Sequence, residues 1–570
     1  SYPRSAAPLR LQLDIAKGDA FRPLVRSYLI TGLERGVPSL FVDVKGVYVD
    51  HPEKMAVVGE IVEEVIARLS KDVGLHDDDS TAPPTTLLWA YYYLALHLSH
   101  PLHPDPSHSR ALEVLSLALE HTPTLPELYM ARGMILKRAG DPLGAAQAME
   151  DARLLDGQDR FLNSKAAKYW LRTGEIKQAE DLLALFTKVS QKDISAVTDL
   201  VDLQCLWFLQ EEGDVYRRNG NLAMALKRYQ ALVSVFHDYE DDQYDFHTYC
   251  MRRMTFSAYL SLMRYEDQLR SHPAFYKAAV AAIEIYIELF DDPSLTEEKM
   301  TVDEGAERKK AAKKAQKAEQ KARKAAITTG DGKKDDQPVP DEDPLGEKLL
   351  KTETPVEDAQ KLWRSLEKLA TRRIETWTLG YDIYVRQKMY VAALKCLLEA
   401  AAIDAEAAQL HAKILHFRRT IASVEKLPSA VLATIDSLLP TIISETISSE
   451  DFNSSFLSRH STSPPHILGA ARGLLEIKRA SNPLPDDTVD DITRVLLRLI
   501  EKGVPPSLPV LLQAVDLLRT SGASPAVVDE LNARYKVRLP LAMVFDSDTE
   551  KAKRLAERES ETIPNGKADV

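Results

Sequence analysis

The chain has 570 residues, 45% of them hydrophobic, and a formal net charge of −12 at pH 7. That length exceeds one ordinary domain and allows a large core, and the negative balance excludes nucleic-acid binding by bulk charge. Three cysteines (Cys205, Cys250, Cys396) are too scattered for a disulfide framework and suit a reducing compartment, and no apolar run reaches the roughly 18 residues of a membrane span.

The first residues, SYPRSAAPLRLQL, carry neither an initiator Met nor the apolar core of a signal peptide. Repeat-like helices begin almost at once, so the expectation is the C-terminal part of a longer protein. Residues 18–70 predict short helices broken at Gly36-Val37-Pro38, then an amphipathic helix from Pro52 to Leu69. The segment Asp77–Thr85 reads as a loop. Leu88–Leu98 is the first helix of a pair, and Ala111, Leu115, Ala118 and Pro123 occupy the slots of the second.

The same slots recur 34 residues later as Ala145, Met149, Ala152 and Gly157, within a pair that also carries Gly133, Leu136 and Gly140. A further 34 residues on they read Ala167, Trp170, Gly174, Ala179 and Leu183. A period of 34 with this alternation of small, large and glycine positions is the tetratricopeptide signature. Small residues let the paired helices approach, large ones fill the space between them, and Gly140 and Gly174 end the first helix with a left-handed cap. Such a unit cannot bury its apolar face alone, so neighbours stack on both sides.

Another copy shows Gly213, Tyr216, Gly220, Ala225 and Tyr229, after an insertion around Gln191–Leu200. The segments beginning at Phe246 and His272 predict solenoid helices that are apolar on one face. Composition then changes at about Asp291: Arg308, Lys309, Lys310, Lys313, Lys314, Lys317, Lys321, Arg323 and Lys324 crowd an alanine-rich run with only Glu319 opposing. Such composition favours helix but has no stripe to bury, predicting an exposed helix about 30 Å long. An acidic, proline-containing linker follows. Trp377, Tyr381, Tyr384, Ala393, Leu397 and Ala400 again fit the repeat slots, and apolar helices with Pro/Ser/Gly breaks continue to about Pro540. The expected fold is all-α. A tetratricopeptide-like solenoid covers 1–300, the basic helix and linker 301–345, further hairpins 346–425, a C-terminal helical region 426–545, and a mobile charged tail 546–570.

Catalytic chemistry is not evident. His97, His100, His103 and His108 cluster near Asp105, but Pro101, Pro104 and Pro106 make the segment an irregular loop rather than a ligand scaffold. Asp245, His247 and Cys250 lack an orienting pair or oxyanion motif. The pyrophosphate-holding loop of acetyl-transfer enzymes has two near-matches, Arg217–Leu222 and Arg519–Ser524, and both fail at the last position. No metal site and no active site are expected.

Basic residues stand out on the repeats. Lys137 and Arg138 end the first helix of one pair, and Arg160, Lys165 and Lys168 lie on the first helix of the next. Adjacent first helices line the concave face of a tetratricopeptide superhelix, where these charges and a helix N-terminus would favour an anion. A ridge of ordinary solvated lysines is the other reading, and the residues alone leave both open. The run 308–324 reads either as a solubilising or nuclear-targeting segment or as an RNA-facing helix that grips phosphates.

The strings PPTTLLWAYYYLA (83–95), RFLNSKAAKYWL (160–171), DDQYDFHTYCMRR (241–253), HPAFYKAA (272–279) and KTETPVEDA (351–359), together with the Lys/Ala-rich run, resemble the large auxiliary subunit of the NatA N-terminal acetyltransferase complex. Their order and spacing match to roughly residue 545, without the family's N-terminal repeats. The resemblance implies a non-catalytic solenoid that wraps and activates a small catalytic subunit, which itself binds acetyl-CoA and acts on small, Met-processed N-termini. It implies docking on ribosomal RNA through the helix corresponding to Arg308–Lys324, in the cytoplasm with a nuclear fraction. It also implies a small regulator with a ubiquitin-associated-like domain at the C-terminal region, a second N-terminal acetyltransferase as a further partner, and no membrane. Inositol hexakisphosphate is the family's structural ligand, at positions resembling Lys137, Arg138, Lys165 and Lys168, with Arg160 beside them. Met134 departs from that pattern, since relatives often carry a basic residue there, and the expectation is either that Arg132 or Arg160 compensates or that the site is weaker. The competing expectation is a generic tetratricopeptide adaptor or co-chaperone, for which no repeated Lys/Asn/Arg carboxylate clamp is found.

Overall fold

The computed structural model describes residues 6–71, 73–75, 82–104, 106–187, 196–242, 248–249, 252–253, 255–296, 343, 345–479 and 486–561. Among them there is no strand. The helices group into two compact units, one of residues 1–173 with 455–570 and the other of residues 174–454.

In the first unit, α1 (Ala6–Ile15), α2 (Phe21–Glu34), α3 (Leu40–Val44) and α4 (Pro52–Leu69) precede the repeats. The break at Gly36–Pro38 and the bounds of α4 are those expected. Helix α5 (Thr85–Leu98) begins three residues before the predicted Leu88, and α6 (His108–His121) completes its pair. Then come α7 (Pro126–Ala139), α8 (Pro142–Leu155) and α9 (Arg160–Thr173), with α7 packed along α8 and α8 along α9. The turn between α7 and α8 takes only two residues. Gly140, at φ 90°, adopts the left-handed conformation that closes α7, and Asp141 opens α8 by accepting a hydrogen bond from the Gly144 amide at 2.8 Å. Ala111, Leu115, Ala118, Ala145, Met149 and Ala152 are all buried, as the repeat pattern requires.

The second unit contains α10 (Ile176–Ala184), α11 (Ala196–Asp202), α12 (Leu206–Arg218), α13 (Leu222–Asp241), α14 (Phe256–Glu266) and α15 (Pro273–Asp291). It continues through α16 (Glu347–Leu350), α17 (Pro355–Leu369), α18 (Ile374–Arg386), α19 (Tyr390–Ile403), α20 (Ala408–Ser423) and α21 (Ser429–Leu438). The α12–α13 turn, one residue longer, again combines a left-handed glycine, Gly220, with a capping side chain, Asn221, which accepts from the Met224 amide at 3.0 Å. At Gly213 a Cβ would sit 2.6 Å from the Tyr229 ring, so only glycine permits this approach of α12 to α13. The α18–α19 turn places Lys388 at φ 59° where other repeats have glycine. One expected solenoid helix differs: α14 buries none of its residues and leaves Phe256, Leu260 and Met263 exposed.

Helix α22 (Ser449–Arg459) leads to α23 (Pro464–Lys478), α24 (Asp486–Leu497), α25 (Leu508–Thr520) and α26 (Pro525–Arg538), which share a second core within the first unit. That core reaches the repeats at Gly140, where a Cβ would meet Ala542 at 2.9 Å and Leu508 at 3.1 Å. Within the charged tail expected from residue 546, Asp548–Glu561 form α27. The buried Asp546 carboxylate pairs with Lys536 and, at 3.1 Å, with Arg554, whose guanidinium also donates to the Pro540 carbonyl at 3.0 Å. Charge that looked solvated in the sequence is therefore used to tie the helix down.

A buried carboxyl pair stands at the heart of the second unit. The inaccessible Glu212 of α12 pairs with Arg228 of α13 at 2.5 Å, and Glu180 of α10 shares a hydrogen bond with Glu212. Burial, then the Glu212 charge, pushes the Glu180 carboxyl up to about 7. Stability from its protonated form is complete below the ordinary value of 4.5 and is lost as the pH rises through about 7. Glu180→Gln, which cannot ionise, raises the thermal midpoint by a few degrees at pH 8 and leaves it unchanged at pH 5. Calorimetry showing equal destabilisation at both values would mean that Glu180 is needed in its charged form.

Candidate anion-binding site

The basic residues of α7 and α9 do not behave alike. Lys137 is exposed on the last turn of α7, while its neighbour Arg138 is half-buried and turned toward the end of α5. There the Arg138 guanidinium donates to the carbonyl and the hydroxyl of the buried Ser99, at 3.2 and 3.0 Å. Arg138 thus caps α5, supplying a donor to a chain end whose carbonyls have no intrahelical partner. Part of its hydrogen-bonding capacity is structural, which the sequence did not reveal.

On α9, Lys165 and Lys168 are half-buried, three residues apart and on one face. Arg172 continues the same stripe, its guanidinium 5.3 Å from the centre of the Tyr169 ring. Arg172 was missed from the sequence, although its spacing of seven from Lys165 was the available signal. Burial, then Lys168 and Arg172, holds the Lys165 ammonium below the usual lysine range. Its charge lies 5.2 Å from the centre of the Phe161 ring. Burial also lowers Arg138, and Tyr169 of α9 acts on it in the opposite direction, so Arg138 lies within electrostatic reach of the α9 stripe. Among the described residues no carboxylate is ion-paired with Arg138 or Lys165. A set of crowded cations of this kind suits a ligand with several phosphates, which would relieve the repulsion.

Arg160 does not join the stripe. It is exposed on the first turn of α9, five residues from Lys165 and so about 140° away around the helix axis. At the N-terminus of α9 the Asp159 carboxylate accepts from the Phe161 amide at 2.7 Å, so one of its free donors is already used. Met134 packs against the core, and the Arg132 charge acts on the Asp151 carboxyl of α8, which burial raises and Arg132 lowers.

The histidine segment lies beside Arg138. His97 is buried, with Nδ1 3.0 Å from the Tyr48 hydroxyl and its ring 5.5 Å from that of His103. Among the described residues no group of histidine, cysteine or carboxylate side chains has the arrangement of a metal site. Asp105, the triplet Asp245/His247/Cys250 and the whole basic run Arg308–Lys324 lie outside the described residues. The two near-match loops are repeat or interhelical turns: Gly220 and Gly522 have φ of 80° and 77°, and Arg217 is held by Glu284 and Glu288, each at 2.6 Å.

Arg138 and Lys165 differ in a measurable way. Arg138→Ala strands the Ser99 acceptors and costs about 1–2 kcal/mol in chemical denaturation, whereas Lys165→Gln removes like-charge repulsion and leaves stability unchanged or higher. Equal losses would make both residues structural.

A model of the family described as N-terminal acetyltransferase A, auxiliary subunit, matches residues 1–400. The chain is 34% identical over 500 residues to human N-alpha-acetyltransferase 16, NatA auxiliary subunit, a match covering 83% of the chain and 56% of the relative. It is 32% identical over 518 residues to the Arabidopsis thaliana N-terminal acetyltransferase A complex auxiliary subunit NAA15, covering 88% and 56%. A solved structure of Naa15/Naa10 bound to HypK-THB has a TM-score of 0.63 and 31% identity, covering 77% of this chain and 58% of that one. The chain spans about half the length of the curated relatives it matches.

Proposed function

The chain belongs to the family of auxiliary subunits of N-terminal acetyltransferase A, and from that premise we propose that it is the non-catalytic scaffold of a small acetyltransferase. In this reading it binds and activates the catalytic subunit and carries it to ribosomes for co-translational acetylation of N-termini. The observation that supports it most is the shared helical-repeat fold with the solved Naa15, which is bound there to Naa10. The same assembly contains HypK-THB, which supports a small regulator as a further partner; the proposal assigns that regulator to the C-terminal helical region. A second acetyltransferase is a further proposed partner.

What this chain contributes is a rigid surface. Helix pairs held by contacts such as Gly213 on Tyr229 leave little freedom between neighbours, so a partner's helices docked on them are held in one arrangement. Acetyl-CoA is the partner's to bind, since the turns at Gly220 and Gly522 serve the helix pairs of this chain. Inositol hexakisphosphate, when bound, supplies negative charge that joins the two subunits. Lys137, Arg138, Lys165, Lys168 and Arg172 are the residues that would hold it, with Arg160 outside the stripe. The run Arg308–Lys324 is assigned to ribosomal RNA, with binding through phosphates that weakens steeply with salt. The proposed location is the cytoplasm, on ribosomes, with a nuclear fraction.

The test is acetylation of a Ser-initiated peptide by the matched catalytic subunit, alone and with this chain added. The expected result is a rise in kcat/KM of about tenfold or more, equivalent to at least about 1.4 kcal/mol of transition-state stabilisation. Lys165→Glu reduces the tightening of the pair by inositol hexakisphosphate. Two proteins that neither associate nor alter each other's activity, with the same result for a chain extended to its relatives' length, would overturn the reading.

A further inference from the structure

The end of α7 that carries Lys137 and Arg138 is tied to the C-terminal part of the chain. Its last turn is closed by the Gly140 amide, which donates to the Lys137 carbonyl at 3.3 Å, and by the Asp141 amide, which donates to the Leu136 carbonyl at 2.9 Å. Ala542 and Leu508 pack on Gly140 so closely that an added methyl group would not fit. The turn that completes the cationic helix is therefore also a contact surface for the segment between α26 and α27.

Charge holds that segment in place. Ala542 is fully buried, and its carbonyl accepts from the Lys536 ammonium of α26 at 3.3 Å. The same ammonium pairs with the Asp546 carboxylate, which is inaccessible to solvent. Asp546 pairs in addition with Arg554 of α27 at 3.1 Å, and that guanidinium donates to the Pro540 and Leu541 carbonyls at 3.0 and 3.4 Å. Phe545, edge-on to Tyr535 at 5.7 Å, adds an apolar anchor. Burial, then Arg554, lowers Lys536, while the Asp141 charge of the α7–α8 turn acts to raise it. Helix α27 itself adds little, since among its described side chains none is buried. A segment with so few apolar contacts opens locally far more easily than the molecule unfolds.

Resting on the polyphosphate reading above, we propose that residues 540–554 form a latch for the anion site: closed on Gly140, they hold the end of α7 ready for a soluble inositol polyphosphate, and the bound ligand in turn keeps the latch closed. Asp546 is its positioning residue and touches no ligand. A helix end that must be ordered on binding lowers affinity by the cost of that ordering, and the closed latch removes that cost in advance. The effect is reciprocal by linkage: the factor that the latch adds to ligand affinity, the ligand adds to latch closure. A regulator that grips the C-terminal segment thereby controls the polyphosphate without contacting it.

The experiment is calorimetric titration of the full chain with inositol hexakisphosphate, for the natural sequence and for Asp546→Asn. Direct electrostatics and the latch give opposite signs. The substitution removes a negative charge, which by itself would tighten an anion, whereas release of the latch weakens binding by about fivefold. Hydrogen exchange on the natural chain supplies the reciprocal measurement and does not depend on the variant folding. With saturating ligand the amides of α27 exchange about fivefold more slowly, while those of the exposed α14 keep their rates. An equal change on both helices, or no change on either, would overturn the inference, as would unchanged or tighter binding by Asp546→Asn. Each of these results leaves the polyphosphate reading intact. Absence of binding by the natural chain would overturn both.

Discussion

The constraint on which the repeats depend is the close approach of two helices through a small residue. At Gly133 an added Cβ would meet Met149 at 2.9 Å, at Gly213 the Tyr229 ring at 2.6 Å, and at Gly380 the Trp363 indole at 2.4 Å. Each contact sets one helix against a large side chain of its neighbour, and each pair leaves an apolar face for the next. The fold therefore grows by stacking rather than by closing around one centre.

Charge is handled in two distinct ways in this framework. In two places buried carboxylates are ion-paired: Glu212 with Arg228, and Asp546 with Lys536 and Arg554. Removing one member of such a pair leaves an uncompensated charge in a low-dielectric setting, so these clusters fix the register of the helices that supply them. On α9 like charges share a face. Lys165, Lys168 and Arg172 are crowded together on one face, and burial with mutual repulsion destabilises the Lys165 charge. The first pattern is that of a finished interior, while the second is suited to completion by an anion.

Arg138 connects the two patterns. It caps α5 through Ser99, yet Tyr169 of α9 and the imidazoles of His100 and His108 all lie within reach of its charge. The same group thus has a structural bond and a place in the cationic field.

The sequence by itself determined the helical class, the 34-residue repeat and the small and left-handed positions, because these are fixed by contacts within one pair and repeat at constant spacing. It also marked Lys137, Arg138, Lys165 and Lys168, whose charges stand out along the chain. Only the tertiary structure separated Arg138, bonded to Ser99 39 residues away, from Lys137 beside it. The same is true of Arg160, turned off the stripe that Arg172 continues, and of the tail made helical by Asp546 and Arg554. Local periodicity reports what a helix buries, but which distant group meets an end or a surface charge depends on how pairs stack, and no spacing along the chain encodes that.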